Sequence, residues 1–282
     1  MSEVINLFSK INEIKKLNNQ YWIDSLNERK LEELEFHNKD RDKSRISNLN
    51  NHSDTYEKFY GNRKYYSATK RSKEWINNWI KKECDKSIFL DYACGDGSIA
   101  IKAAEHGAKL AIGLDISDIS IKNASKTAQE KKIENIIFYQ GDCENTKLPD
   151  NSIDTIICSG MLHHLDLSYA FYELRRILKP GGKILAVEAL DYNPMIKLYR
   201  KITPNMRTKW EAAHILSLKD VNFAKRFFIV RNIKYWHVLG YISGKFPSLF
   251  KFLDFIDIFL EKIPYFQRLS WIFSFELIKP LK

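Results

Sequence analysis

The sequence has no run of about 18 uncharged apolar residues, the length a helix needs to cross a bilayer. Its opening stretch, MSEVINLFSKINEIKKL, sets charges among apolar residues at helical spacing and lacks the apolar core of a secretory leader, so the cytoplasm is the expected compartment. Cysteine is scarce. Cys84, Cys94, Cys143 and Cys158 make no Cys-x-x-Cys pair and have no histidine at metal-ligand spacing. A disulfide framework and a zinc centre are therefore not indicated, four reduced thiols are expected, and no metal ligand is assigned. Internal repeats and low-complexity linkers are absent too. What remains, 282 residues with 44% hydrophobic and 28% charged, suits one large domain with appendages or two small ones.

The formal charge of +10 is unevenly placed. From Met195 onward there are 16 Lys or Arg against 6 Asp or Glu, a surplus equal to that of the whole chain. The same third holds 18 of the 37 aromatic residues. Interleaved basic and aromatic residues suit nucleic acid, a membrane surface, or an amphipathic element with a solvated face.

Periodicity divides the chain. Residues 1 to about 36 read as one or two amphipathic helices, HNKDRDKSRISNLNNHSD as a polar loop, and Tyr56 to about Cys84 as helix. Strand candidates then alternate with helices: Ile88–Tyr92, Lys109–Leu114, Ile136–Tyr139, Ile153–Cys158 and Lys183–Glu188, with helices over Ala100–His106, Ile119–Lys131 and Leu167–Leu178, the last stopped by KPGG. Such alternation implies right-handed βαβ units and a parallel sheet covered on both faces. Beyond Glu188 the rhythm breaks into an inserted helical segment, a strand in RFFIVRNIKYWHV, a helix over Phe246–Ile263 and a closing strand in WIFSFELI.

Ligands of an open parallel sheet sit at the carboxyl ends of its strands. The first such end reads IFLDYACGDGSIAIKAA, where Gly95 and Gly97 admit close backbone approach and the following helix offers its amides to an anion. GDGSIA also fits the dinucleotide pattern G-x-G-x-x-A, so an NAD-type oxidoreductase enters the comparison. Against it, Asp91 stands at the strand end ahead of the glycines, where it would anchor the loop, and Asp142 follows the third strand where a nucleobase would lie.

Taken in order, FLDYACGDGSIAIKAA, IGLDIS, GDCENTKLPDNSIDTIICSGMLHHL and LRRILKPGGKILAVE resemble the class I S-adenosylmethionine-dependent methyltransferases, in the group of the ubiquinone and menaquinone C-methylases. The resemblance covers about Ile88 to Glu188. It implies an α/β fold: a doubly wound, mostly parallel seven-stranded Rossmann-like sheet with an antiparallel last strand, N-terminal helices, and helical insertions near the C-terminus. It departs at Ala93, where the family's loop carries its first glycine. With a negative φ the alanine would cost little.

The resemblance also implies roles. Asp91 would anchor the loop, and Ala93, Gly95 and Gly97 would line the methionine part of S-adenosylmethionine. Asp115, 24 residues after Asp91, would take both ribose hydroxyls. Ile116 would pack on adenine, Asp142 would accept from its amine, and Cys143 would lie at its edge. Ser159, Gly160 and Met161 would border the sulfonium and the acceptor. His163 and His164 are the candidate general bases, with bracing of the loop as the alternative for either. Tyr65 and Tyr66 are lid candidates, and Tyr192, Asn193, Arg207, Trp210, Glu211 and His214 fall in the insertion expected to cover the acceptor.

The expected organisation is an N-terminal helical lid region over 1–84, a cofactor-binding core over 85–190, and the remaining strands with acceptor-covering helices over 191–282. The expected activity is methylation of a small acceptor at oxygen, carbon or nitrogen. The alternatives are a nucleic-acid methyltransferase and a non-catalytic cofactor-binding module. Leu249, Phe252, Leu253, Ile256, Phe259 and Leu260 form an apolar helical stripe among Lys245, Lys251, Lys262 and Arg268. That stripe packs on the sheet or a second subunit, or else meets a lipid-like or anionic acceptor or a membrane surface.

Overall fold

The computed structural model describes residues 2–42 and 67–281. Three helices come first: α1 (Ser2–Leu17), α2 (Gln20–Asp24) and α3 (Glu28–Arg41). After α4 (Lys70–Cys84) the order is β1 (Ile88–Tyr92), α5 (Ser98–Glu105), β2 (Leu110–Asp115), α6 (Asp118–Glu130), β3 (Ile136–Gln140), β4 (Ile153–Ser159), α7 (Leu167–Ile177) and β5 (Leu178–Ala189). Then follow α8 (Pro194–Ile202), α9 (Lys209–Ala213), α10 (Leu218–Ala224), β6 (Ile229–Trp236), α11 (Phe250–Leu260) and β7 (Ile272–Ile278).

The seven strands lie in the order β3-β2-β1-β4-β5-β7-β6, and β7 runs antiparallel between β5 and β6. Strand order reverses between β1 and β4, so the carboxyl ends of those strands frame a crevice. Side chains on β1 alternate between two buried faces, which is why the strand reads as an unbroken apolar run up to Asp91. Ile88, Leu90 and Tyr92 pack with Leu7, Ile11 and Ile14 of α1 and with Phe171 and Leu174 of α7. Phe89 packs on the opposite side with Trp79 and Ile80 of α4 and Ala103 of α5.

Two boundaries differ from the sequence reading. HNKDR, expected in a loop, completes α3. That helix is polar around most of its circumference, with Glu33 and Leu34 its buried residues, so no apolar stripe announces it. KPGG does not separate α7 from a strand beginning at Lys183; β5 starts at Leu178, which pairs with Ile153, and the run passes through a register shift. Gly181 has φ +79°, a conformation that lets the strand bulge and continue. The polar loop beyond Asp42 and the lid candidates Tyr65 and Tyr66 lie outside the described residues.

Candidate functional site

The turn after β1 is built by backbone geometry. Cys94 N donates to Leu114 O at 2.8 Å and Gly97 N to Cys94 O at 2.8 Å, which holds the loop over the end of β2. The chain reaches this shape by turning left-handed at three places: Ala93 (φ 60°), Gly95 (φ 52°) and Gly97 (φ 74°). The expected negative φ at Ala93 is thus corrected. The family's glycine position demands a left-handed residue, and the alanine adopts that conformation at a cost of ~1 kcal/mol or more. Gly97 serves packing: a Cβ there would come within 2.7 Å of Ala124 and Phe138, so its absence lets α5 and α6 close on the sheet.

Asp91 lies behind the loop and does not line the cleft. Its Oδ2 accepts from Ala100 N at 3.0 Å, tying the start of α5 to β1, and burial pushes its carboxyl up to about 7. Asp115 does face the cleft, accepting from Gly95 N (2.8 Å) and Ser117 N (2.9 Å). Asp142 follows β3; its Oδ1 accepts from Glu144 N at 2.8 Å and its Oδ2 pairs with Lys30 Nζ at 2.6 Å. Ala93, Gly95, Ile116, Cys143, Ser159, Gly160 and Met161 line the same cavity, whose volume is about 120 Å³.

The roof of this cavity is α3. Asn27 caps the helix by accepting from Lys30 N at 3.0 Å, and Arg29, Lys30, Glu33, His37 and Arg41 then project into the cleft at helical spacing. Lys30 also meets Glu144 at 2.9 Å; against burial, which would lower it, Asp142 and Glu144 raise its pKa. Arg29 donates to His164 O at 2.8 Å and to Glu144 at 2.5 Å. Asn38 donates to Asp118 at 2.8 Å, and Asn123 to Arg41 O at 3.2 Å. None of these α3 residues was singled out from sequence. The one legible signal was Glu33 and His37 four residues apart, hence on one helix face.

The paired histidines divide. His163 donates from Nδ1 to Glu188 Oε2 at 2.6 Å, while Glu188 Oε1 takes the amides of Met161 (2.9 Å) and Leu162 (2.8 Å). This ring braces the loop from behind, with Glu211 3.8 Å from its Nε2. His164 lines the cavity and donates from Nδ1 to Glu33 Oε2 at 2.9 Å; His37 Nε2 approaches the same oxygen at 3.4 Å. Against burial, these two rings hold Glu33 well below the usual carboxylate range. Burial lowers His164, with the neighbouring His163 acting in the same direction. Against burial, Glu33 and Asp115 raise His37, so the two rings are pushed in opposite directions.

The insertion residues are mostly structural. Tyr192 Oη accepts from Leu218 N at 3.2 Å. Asn193 caps α8 and donates to Leu269 O at 2.5 Å. Trp210 stacks on His214 with ring centroids 3.7 Å apart and lies under Arg29, so this pair reaches the site through α3. Arg207 donates to Thr203 O at 2.9 Å and lies 3.5 Å from Glu211. None of Tyr192, Asn193, Arg207, Trp210 and His214 lines the cavity.

Residues 90–186 match a family model described as a methyltransferase domain. The chain is 29% identical over 154 residues to the uncharacterized methyltransferase YcgJ of Bacillus subtilis, covering 53% of this chain and 60% of that protein. It is 34% identical over 122 residues to the ubiquinone/menaquinone biosynthesis C-methyltransferase UbiE of Rickettsia akari, covering 40% of this chain and 49% of the relative. The chain thus spans about half the length of these curated relatives. Among solved structures, YcgJ superposes with a TM-score of 0.53 at 21% identity, covering 74% of this chain and 99% of that one. The geranyl diphosphate C-methyltransferase of Streptomyces coelicolor, solved with Mg2+, geranyl diphosphate and S-adenosyl-L-homocysteine, superposes at 0.55 and 14% identity, covering 75% and 80%. At those identities the likeness speaks for the fold.

Proposed function

Residues 90–186 belong to the class I S-adenosylmethionine-dependent methyltransferases, and from that premise we propose that the whole chain holds S-adenosylmethionine beneath α3 and methylates a small amphipathic acceptor. One observation carries the reading: Asp115 and Asp142, buried acids at the ends of β2 and β3, face one cavity with the glycine turn. The residues fit the cofactor chemically. Asp115 and Asp142 are acceptors for hydroxyls and an exocyclic amine. The Arg41 guanidinium rests against Gly95, and its Nε, 3.6 Å from the Asp40 carboxylate, has no hydrogen-bond partner among the described residues. A carboxylate such as that of the methionine moiety would satisfy it. Gly160 (φ 66°) has open space where a Cβ would stand, leaving room at the end of β4. When bound, the cofactor supplies a methyl group made electrophilic by its sulfonium.

The protein's part is to orient and to exclude water, and α3 closes the cleft for that purpose. In this reading residues 1–84 act as the lid region, 85–190 hold the cofactor, and the helices after Ala189 cover the acceptor. An amphipathic acceptor fits the names of relatives such as UbiE and the demethylmenaquinone methyltransferase of Staphylococcus epidermidis. It also fits an exposed face. Phe246, Phe252, Phe255, Phe259 and Phe266 are all more than 40% exposed, with Lys245, Lys251, Lys262 and Arg268 exposed among them. The start of β7 pairs with the end of β5, Ile272 opposite Ala189, so α11 enters the sheet at the end where the cleft opens. Apolar rings fringed by cations suit an anionic membrane surface, from which such an acceptor would be drawn.

The test is calorimetry with S-adenosylmethionine. Asp115→Ala removes a charge-assisted contact worth ~1.5 to 3 kcal/mol, so affinity should fall by about one to two powers of ten. Asp115→Asn, which keeps an acceptor for the loop amides, should fall less. Unchanged affinity in both variants, or tight binding of NAD by the wild type, would overturn the reading.

A further inference from the structure

Glu33, His37 and His164 converge from two segments that are far apart in sequence, α3 and the loop after β4. Their donor atoms all lie within 4.8 Å of one another. Glu33 Oε2 is 2.9 Å from His164 Nδ1 and 3.4 Å from His37 Nε2. Ligands held at about 2.0–2.2 Å around a tetrahedral ion stand roughly 3.4 Å apart, so the Glu33–His37 separation already fits and the Glu33–His164 separation needs a widening of about half an ångström. The carboxylate is oriented from its other side, where Oε1 accepts from Thr208 Oγ1 at 2.5 Å; an outer bond of this kind is what fixes a metal-ligating carboxylate. Glu33 is 4% exposed, and all three side chains line the cavity that holds Asp115 and Asp142. Two imidazoles and a carboxylate form a donor set for Zn2+ or Fe2+ more than for Mg2+ or Ca2+, which prefer all-oxygen shells.

We infer that Glu33, His37 and His164 form a three-ligand site for a divalent first-row transition ion, with its open coordination position toward the cleft. The site revises the expectation of no metal ligands, because the ligands meet only through packing of α3. Its use, which rests on the methyltransferase reading, would be to bind and polarise an oxygen of the acceptor beside the cofactor.

The experiment takes the full chain, strips it with a chelator, and titrates it with Co2+ followed by competing Zn2+. One equivalent of Co2+ should give the visible absorption of a four- or five-coordinate site, and Zn2+ should abolish it. Glu33→Gln, His37→Ala and His164→Ala should each weaken Zn2+ binding by about 100-fold or more, beyond what loss of an outer-sphere partner costs. Thermal melting of each variant checks that it is folded. A wild type that takes up neither ion overturns the inference without recourse to variants, as does binding that all three folded variants retain. S-adenosylmethionine calorimetry on the same stripped sample separates the two readings. Cofactor binding without metal binding removes the ion alone, whereas absence of cofactor binding removes the methyltransferase assignment.

Discussion

At Ala93 an L-residue occupies a left-handed position that the glycine turn cannot avoid, because Cys94 N must reach Leu114 O. The strain is local and removable. Ala93→Gly should stabilise the fold by about 0.5–1 kcal/mol, the relief of the left-handed conformation being partly offset by the freer unfolded chain of glycine. A urea melt would register this as a higher midpoint with unchanged slope. A lower midpoint would mean that the alanine methyl packs against the core beneath it more usefully than its φ suggests.

The element that decides the site is α3. Its hold on the sheet is mostly polar: Lys30 on Asp142 and Glu144, Arg29 on Glu144, Asn38 on Asp118, Glu33 on His164. A helix with Leu34 as its buried apolar anchor opens at small free-energy cost, which suits a roof that must part for a ligand. Hydrogen exchange tests this directly. With S-adenosylmethionine at about 100 times its Kd, up to ~2.7 kcal/mol of stabilisation is available, and the amides of 28–41 should slow by about tenfold or more. The amides of β1 serve as the internal reference. Exchange in α3 that ignores the cofactor would show that the helix is a fixed wall and that the ligand enters elsewhere.

For the molecule as a whole, the basic surplus and the aromatic face lie together after Met195. The apolar stripe expected to pack is only partly used: Leu253 is buried and Ile256 and Leu260 are half-buried, while Phe252, Phe255 and Phe259 face outward. Among the described residues no helix is long and apolar enough to cross a membrane. The protein should sediment with vesicles of anionic lipid at low salt and be released at high salt, because screening shortens the reach of the lysines. The double substitution Phe252→Ser and Phe255→Ser should weaken binding at both. Protein left in the supernatant at low salt would argue for a second copy covering this face, and sedimentation equilibrium would find it.

The sheet and the cofactor loop were legible because their causes are local: apolar runs of strand length, glycines where the backbone turns left-handed, and acids at the ends of β1, β2 and β3. Asp115 and Asp142 could be named for the same reason, Asp115 being the last residue of β2 and Asp142 standing two residues past β3. Tertiary structure alone decided which histidine faces the cleft. His163 and His164 are adjacent in sequence, and the Glu188 side chain that turns the first one away comes from β5. It alone decided the part played by α3, whose surface carries no apolar stripe and which is held by hydrogen-bond partners on other elements 79 to 175 residues away. Local chemistry is written along the chain, whereas convergence of Glu33 and His37 on His164 depends on how α3 lies across the sheet, and no window of sequence contains that distance.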